Sequence, residues 1–133
     1  MANTILGDGR PFANVSTNKT LALTDCGTVQ NVVADNITIT LLATIAGATF
    51  TIRNGGVAPT GGPVGAVADQ ELLVSIAPNA SDQVAGLGFT ATDNKAILNT
   101  KATAKAGDEL TLVADATNGW VITNARGTWA RAA

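Results

Sequence analysis

Few residues in this 133-residue chain could do chemistry, and their types limit what that chemistry is. There is no His, which removes the commonest general base and the commonest metal ligand. The single thiol, Cys26, can build neither a zinc site nor an intrachain disulfide, and no Ser-His-Asp or Cys-His arrangement can be assembled. Without a second thiol or a His to activate it, Cys26 is expected to be an inert side chain. Eight Asp and two Glu remain, enough in principle for the carboxylate pair of a glycoside hydrolase. Asp8, Asp25, Asp93 and Asp115, however, stand at turns that contain Gly or Asn, where side-chain to backbone hydrogen bonds account for them. The residue types therefore predict a chain without catalytic residues, metal ligands or a cofactor site.

The remaining candidates are aromatic. Trp120 and Trp129 could stack on sugar rings, but Trp120 belongs to an alternating pattern that gives it a different role. In GDELTLVADATNGWVITNARGTW, residues 107–129, Leu110, Leu112 and Ala114 alternate with polar or smaller residues, and Trp120 and Ile122 do so after a polar turn. This is the pattern of a β-hairpin. With residues 115–119 as the loop, Ala114 faces Trp120 and Leu112 faces Ile122, so Leu110, Leu112, Trp120 and Ile122 project from one face. A slip of one residue would split that set. Together with Phe50 and Ile52 these four are the predicted core, and Trp129 is left as a candidate partner contact.

Length and composition bound the rest. One domain of this size buries roughly two thirds of the surface its unfolded chain exposes. Charged residues are only 14% and hydrophobic ones 46%, too apolar for disorder and poor in solubilising charge, so part of the surface is expected to be covered by a partner. A net charge of -2 offers no basic field for a phosphate backbone, which argues against nucleic acid. The opening MANTILGDGRPF lacks the pattern of a secretory signal, so synthesis in a reducing cytoplasm is expected. The apolar run over residues 36–52 carries regularly spaced Thr and a central Gly, and reads as two strands and a turn in preference to a membrane segment.

Taken in order, residues 1–15 hold Gly7, Asp8, Gly9 and Pro11 without a sustained period and read as an extended N-terminal arm, with residues 16–133 as the β-domain. Ile5, Leu6, Arg10 and Phe12 are the arm's candidate contacts; docking on a partner and packing on its own domain are both open. Short strands are predicted over residues 19–23, 28–33, 36–42, 48–53 and 71–76. The glycines and prolines of residues 54–68 make an exposed loop that lacks the Gly-Lys-Ser/Thr of a phosphate cradle. Residues 79–86 read as a polar turn, residues 87–91, 95–98 and 100–103 as short strands, and residues 128–130 as a last edge strand. No heptad, solenoid repeat or low-complexity tract is visible. Many short strands between Gly, Asn and Asp turns predict an all-β, antiparallel sandwich or barrel.

LTLVAD and GWVIT of the hairpin, the terminal GTW, LTDCG at residues 23–27, GATFTIRN at 47–54 and IAPNASDQVAG at 76–86 resemble the capsid decoration, or cement, proteins of tailed bacteriophages. The resemblance covers about residues 19–129 and rests on turn and core residues. It implies a small jelly-roll-like sandwich, without enzymatic activity, that binds the major capsid protein on the outside of an icosahedral shell as a homodimer or homotrimer. Neither nucleic acid nor membrane is an expected partner. Similar β-domains occur in phage head and tail fibres, so a receptor- or glycan-binding module using Trp129 and the 54–68 loop is the alternative.

Overall fold

The computed structural model of the protein describes residues 4–5, 11–58, 64, 66–115 and 117–133. Its chain alternates between two sheets. In the first lie β1 (Thr4–Ile5), β2 (Pro11–Val15), β4 (Val29–Val32) and β6 (Thr49–Asn54); in the second lie β3 (Lys19–Thr20), β5 (Ile37–Thr40) and β7 (Val74–Ala77). Because each strand from β2 to β7 is followed by one in the other sheet, β2, β4 and β6 run parallel side by side, and so do β3, β5 and β7. The first half of the domain is thus a two-sheeted coil.

The second half is mostly antiparallel. After β8 (Gln83–Ala85) and β9 (Ile97–Asn99) come the hairpin strands β10 (Glu109–Ala114) and β11 (Gly119–Arg126), then β12 (Trp129–Arg131). The seven-stranded sheet has the order β1-β2-β4-β6-β10-β11-β8 and the five-stranded sheet the order β12-β9-β7-β5-β3. Short 3-10 turns at Leu23–Asp25 and Val67–Gln70 are the only helical segments among the described residues. The protein is all-β, but half of the strand pairings among the described residues are parallel, which corrects the expected antiparallel arrangement.

The coil has no sequence repeat because its turns differ in length. Asn14 and Asn31, neighbours on β2 and β4, are 17 residues apart, whereas Asn31 and Arg53, neighbours on β4 and β6, are 22 apart. Asn18 and Asp35 fasten successive turns by accepting backbone N–H groups one turn on, from Thr38 and Leu73 respectively, each at 2.9 Å.

One core lies between the sheets. Phe50, Ile52, Leu110, Leu112, Trp120 and Ile122 enter it from the larger sheet, and Ile37, Ile39, Val74, Ile76 and Ile97 from the smaller. The Phe50 and Trp120 rings meet at 5.6 Å between centroids, tilted by 39°. Ala114 pairs with Trp120 and Leu112 with Ile122, the register that the apolar set selects. Beyond Leu112 the pairing shifts by one residue, so Thr111 faces Asn124 across a bulge.

Four local expectations change. Pro11–Val15, read as the end of an arm, is a strand of the larger sheet, with Ala13 and Val15 buried. Gln83–Ala85, within the expected polar turn, is an edge strand parallel to β11. Residues 87–91 do not form a strand: Gly86, Leu87 and Gly88 all have positive φ, and Gly86 bridges back to Phe89. Residues 100–103 are a turn closed by Thr103 N–H on Thr100 O at 3.1 Å.

Candidate functional site

The candidate contact residues do not come together. Leu6 and Arg10 lie outside the described residues, and Ile5 is a backbone position opposite Pro11. Phe12 of β2, half-buried, faces away from the core opposite Val29 of β4. Trp129 is on β12, at the opposite edge of the other sheet from β3, the strand that directly follows β2. Its ring packs against the core, and its indole N–H donates to Arg126 O at 2.9 Å.

The carboxylates serve turns and corners. Asp82 accepts from Thr44 N–H and Oγ1 at 3.1 and 2.9 Å, Asp115 from Thr117 N–H at 3.0 Å, and Asp93 from Gln83. Asp35 receives the Leu73 N–H and pairs with Lys101, and these two contacts, the backbone one foremost, hold its carboxyl below the ordinary carboxylate range. No group of three or more His, Cys, Asp or Glu is arranged to hold a metal among the described residues, which also enclose no pocket.

Two buried polar clusters span the sheets, and neither was read from the sequence. At one end, the fully buried Asn54 carboxamide on β6 donates to Gln70 O at 3.0 Å and to Asn99 Oδ1 at 3.1 Å, and accepts from Gly56 N–H. Asn99 on β9 donates in turn to Asp108 Oδ2 at 3.0 Å and to Thr128 O at 3.1 Å. Each carboxamide uses both its N–H groups and accepts one bond at its oxygen, so the cluster works as a clasp. Near the start of the coil, Lys19 lies beside the inward Ile39 and reaches across to Gln30, itself inward between Ala13 and Ile52. The parity that Gln30 shares with Val32 was the available signal.

The outer faces differ in charge. Across the larger sheet, Asn14, Asn31, Arg53, Glu109 and Arg126 form one transverse row, with Asn31 donating to Asn14 at 3.0 Å and accepting from Arg53 at 2.7 Å. Across the smaller sheet run two rows without a charge: Thr20, Thr40 and Ala77, then Thr38, Ser75, Leu98 and Ala130. All but the exposed Thr20 are half-buried.

No family model, curated protein or solved structure matches this chain. Its own geometry therefore carries the functional argument. What the uncharged face offers is contact: hydroxyls and methyls at sheet spacing can meet another flat surface without stripping water from an ion. No described helix is long and apolar enough to cross a membrane.

Proposed function

We propose that this chain is a structural virion protein that decorates and stabilises the outside of an icosahedral phage capsid by bridging subunits of the major capsid protein. The observation that carries this reading is the charge-free outer face of the five-stranded sheet, whose rows run through Thr40 and Ser75. Docking such a face costs little desolvation, and its five adjacent strands let contact area accumulate. A content of only 14% charged residues fits a chain that works with part of its surface covered.

Stiffness supports the same reading. The clasp through Asn54 and Asn99 and the bridge from Lys19 to Gln30 tie the two sheets near both ends, so the face arrives preorganised and loses little entropy on docking. A homodimer or homotrimer would match two-fold or three-fold positions of a shell. The antiparallel second half, β9 to β12, supports the jelly-roll part of the resemblance; the parallel coil does not. For the glycan-binding alternative, Trp129 is a poor platform because its ring packs on the core and its N–H is already bonded to Arg126.

The test uses undecorated capsids of the phage that encodes the chain. The protein should co-sediment with them and raise the temperature at which they release DNA, while Ser75→Glu, which puts a charge on the middle strand of the face, should keep its own Tm and lose binding. Absence of co-sedimentation at saturating protein, or full occupancy by the Ser75→Glu variant, would reject the proposal.

A further inference from the structure

Lys19 is an unusual residue for its position. It is on the outermost strand of the five-stranded sheet, yet it points inward, and inward charge on an edge strand ordinarily serves to keep other strands from pairing there. Here the ammonium has more specific company. Its Nζ donates to Gln30 Oε1 at 2.8 Å and lies 3.4 Å from Asp25 Oδ1. The Gln30 carboxamide is fully buried, and its Nε2 donates to Thr28 Oγ1 at 2.5 Å. Asp25 is fixed in turn, because its Oδ2 accepts the Ala22 N–H at 2.9 Å. An amine, a carboxamide and a carboxylate thus stand together, with the reacting pair on different sheets.

We infer that this trio is a self-modification site at which Lys19 and Gln30 join in an isopeptide bond, with Asp25 as the catalytic acid and base. Asp25 takes a proton from the Lys19 ammonium. The freed Nζ lone pair adds to Gln30 Cδ, and the C=O electron pair moves onto Oε1. As the carbonyl re-forms, the Cδ–Nε2 bond breaks and its electron pair leaves with Nε2. Nε2 carries off the two protons that Nζ sheds, one of them by way of Asp25, and departs as ammonium. One proton stays on the new amide nitrogen, and the positive charge of Lys19 leaves with the ammonium, so atoms and charge balance without an oxidant, metal or second substrate.

Proximity favours the step, because the fold holds amine and acyl group in contact and so makes the reaction unimolecular. Burial of Gln30 also keeps water from competing for the acyl carbon. The product ties β3 to β4, and so one sheet to the other, at the end of the coil where the five-stranded sheet stops in a two-residue strand.

Intact-mass measurement of the folded full chain, followed by tryptic mapping, tests this. The expected wild-type mass is that of the encoded chain less one ammonia, with no cleavage after Lys19 and fragment ions linking Lys19 to Gln30. Lys19→Met and Gln30→Leu should have their full encoded masses, and Asp25→Asn, which keeps the acceptor for the Ala22 N–H, should slow the loss of ammonia at least tenfold. A wild-type chain of full mass that trypsin cuts after Lys19 overturns the inference, as does an ammonia loss that maps elsewhere. The wild-type measurement decides the matter even if a variant fails to fold.

Discussion

Asn54 on one sheet and Asn99 on the other are joined directly, Nδ2 to Oδ1, at 3.1 Å, and each carboxamide also serves backbone groups, Asn54 those of Gln70 and Gly56 and Asn99 that of Thr128. Removing either takes a bond from each of its own partners, the other carboxamide included. Asn54→Ala leaves Gly56 N–H and Asn99 Oδ1 without that bond, while Gln70 O keeps the Leu72 N–H, and at about 1–3 kcal/mol per buried unsatisfied group a loss of about 3 kcal/mol is expected in urea unfolding. Asn99→Ala should cost a similar amount. The double variant should fall well short of the sum, since one network is removed in both cases; strict additivity would mean that the clasp is not a unit.

Trp120 is almost wholly buried against Phe50, yet its indole N–H has no hydrogen-bond partner among the described residues. The ring is there for its volume, and its polar atom is a cost. Trp120→Phe should therefore change stability by less than about 1.5 kcal/mol, the lost contact area being offset by removal of an unpaired donor. Trp120→Ala should cost about 3–5 kcal/mol through the cavity it leaves. Equal losses in the two variants would show that the indole nitrogen matters in a way these contacts do not explain.

These two sites mark how far the sequence was legible. Period-two alternation and the size of Trp120, Leu112 and Ile122 fix the hairpin and its register, because a one-residue slip would split them between the two faces. The parallel coil was hidden, since pairing between β2, β4 and β6 leaves no local signature and turns of 17 and 22 residues leave no period. Gln30, Asn54 and Asn99 were passed over because polar residues in short strands read as solvent-facing or as turn formers, and only the facing sheet reveals that they are inward and paired. The uncharged face was visible one strand at a time in Thr38 and Thr40, but its breadth depends on which strands lie beside β5.

Gly127 and Gly27 both have positive φ, +92° and +78°, but their surroundings differ. A Cβ on Gly27 would meet nothing within 4 Å, whereas one on Gly127 would sit 2.3 Å from the Asp108 carboxyl group that Asn99 holds in place. Gly27→Ala should cost about 1–2 kcal/mol, the backbone penalty alone. Gly127→Ala should cost at least twice as much in the same unfolding experiment, because it must also displace a buried, hydrogen-bonded carboxylate. A smaller loss at Gly127 than at Gly27 would mean that the corner before β12 adjusts freely.

Asp35 joins the corner before β5 to the start of β7 by accepting the Leu73 N–H, with Lys101 alongside. Its pKa is lowered from the ordinary 3.8, first by that backbone donor and then by the lysine. A carboxyl whose folded pKa lies below its unfolded one stabilises the fold fully above the unfolded value, and that contribution disappears as pH falls through the folded value. Asp35→Asn keeps an acceptor for Leu73 but not the charge, so it should be less stable than wild type at pH 7 by a small margin, Lys101 and Asp35 being solvent-exposed. The two unfolding curves should draw together as pH drops below 3.8 and coincide once Asp35 is protonated in both states. A difference that persists unchanged at the lowest pH would assign the effect of Asp35 to shape and not to charge.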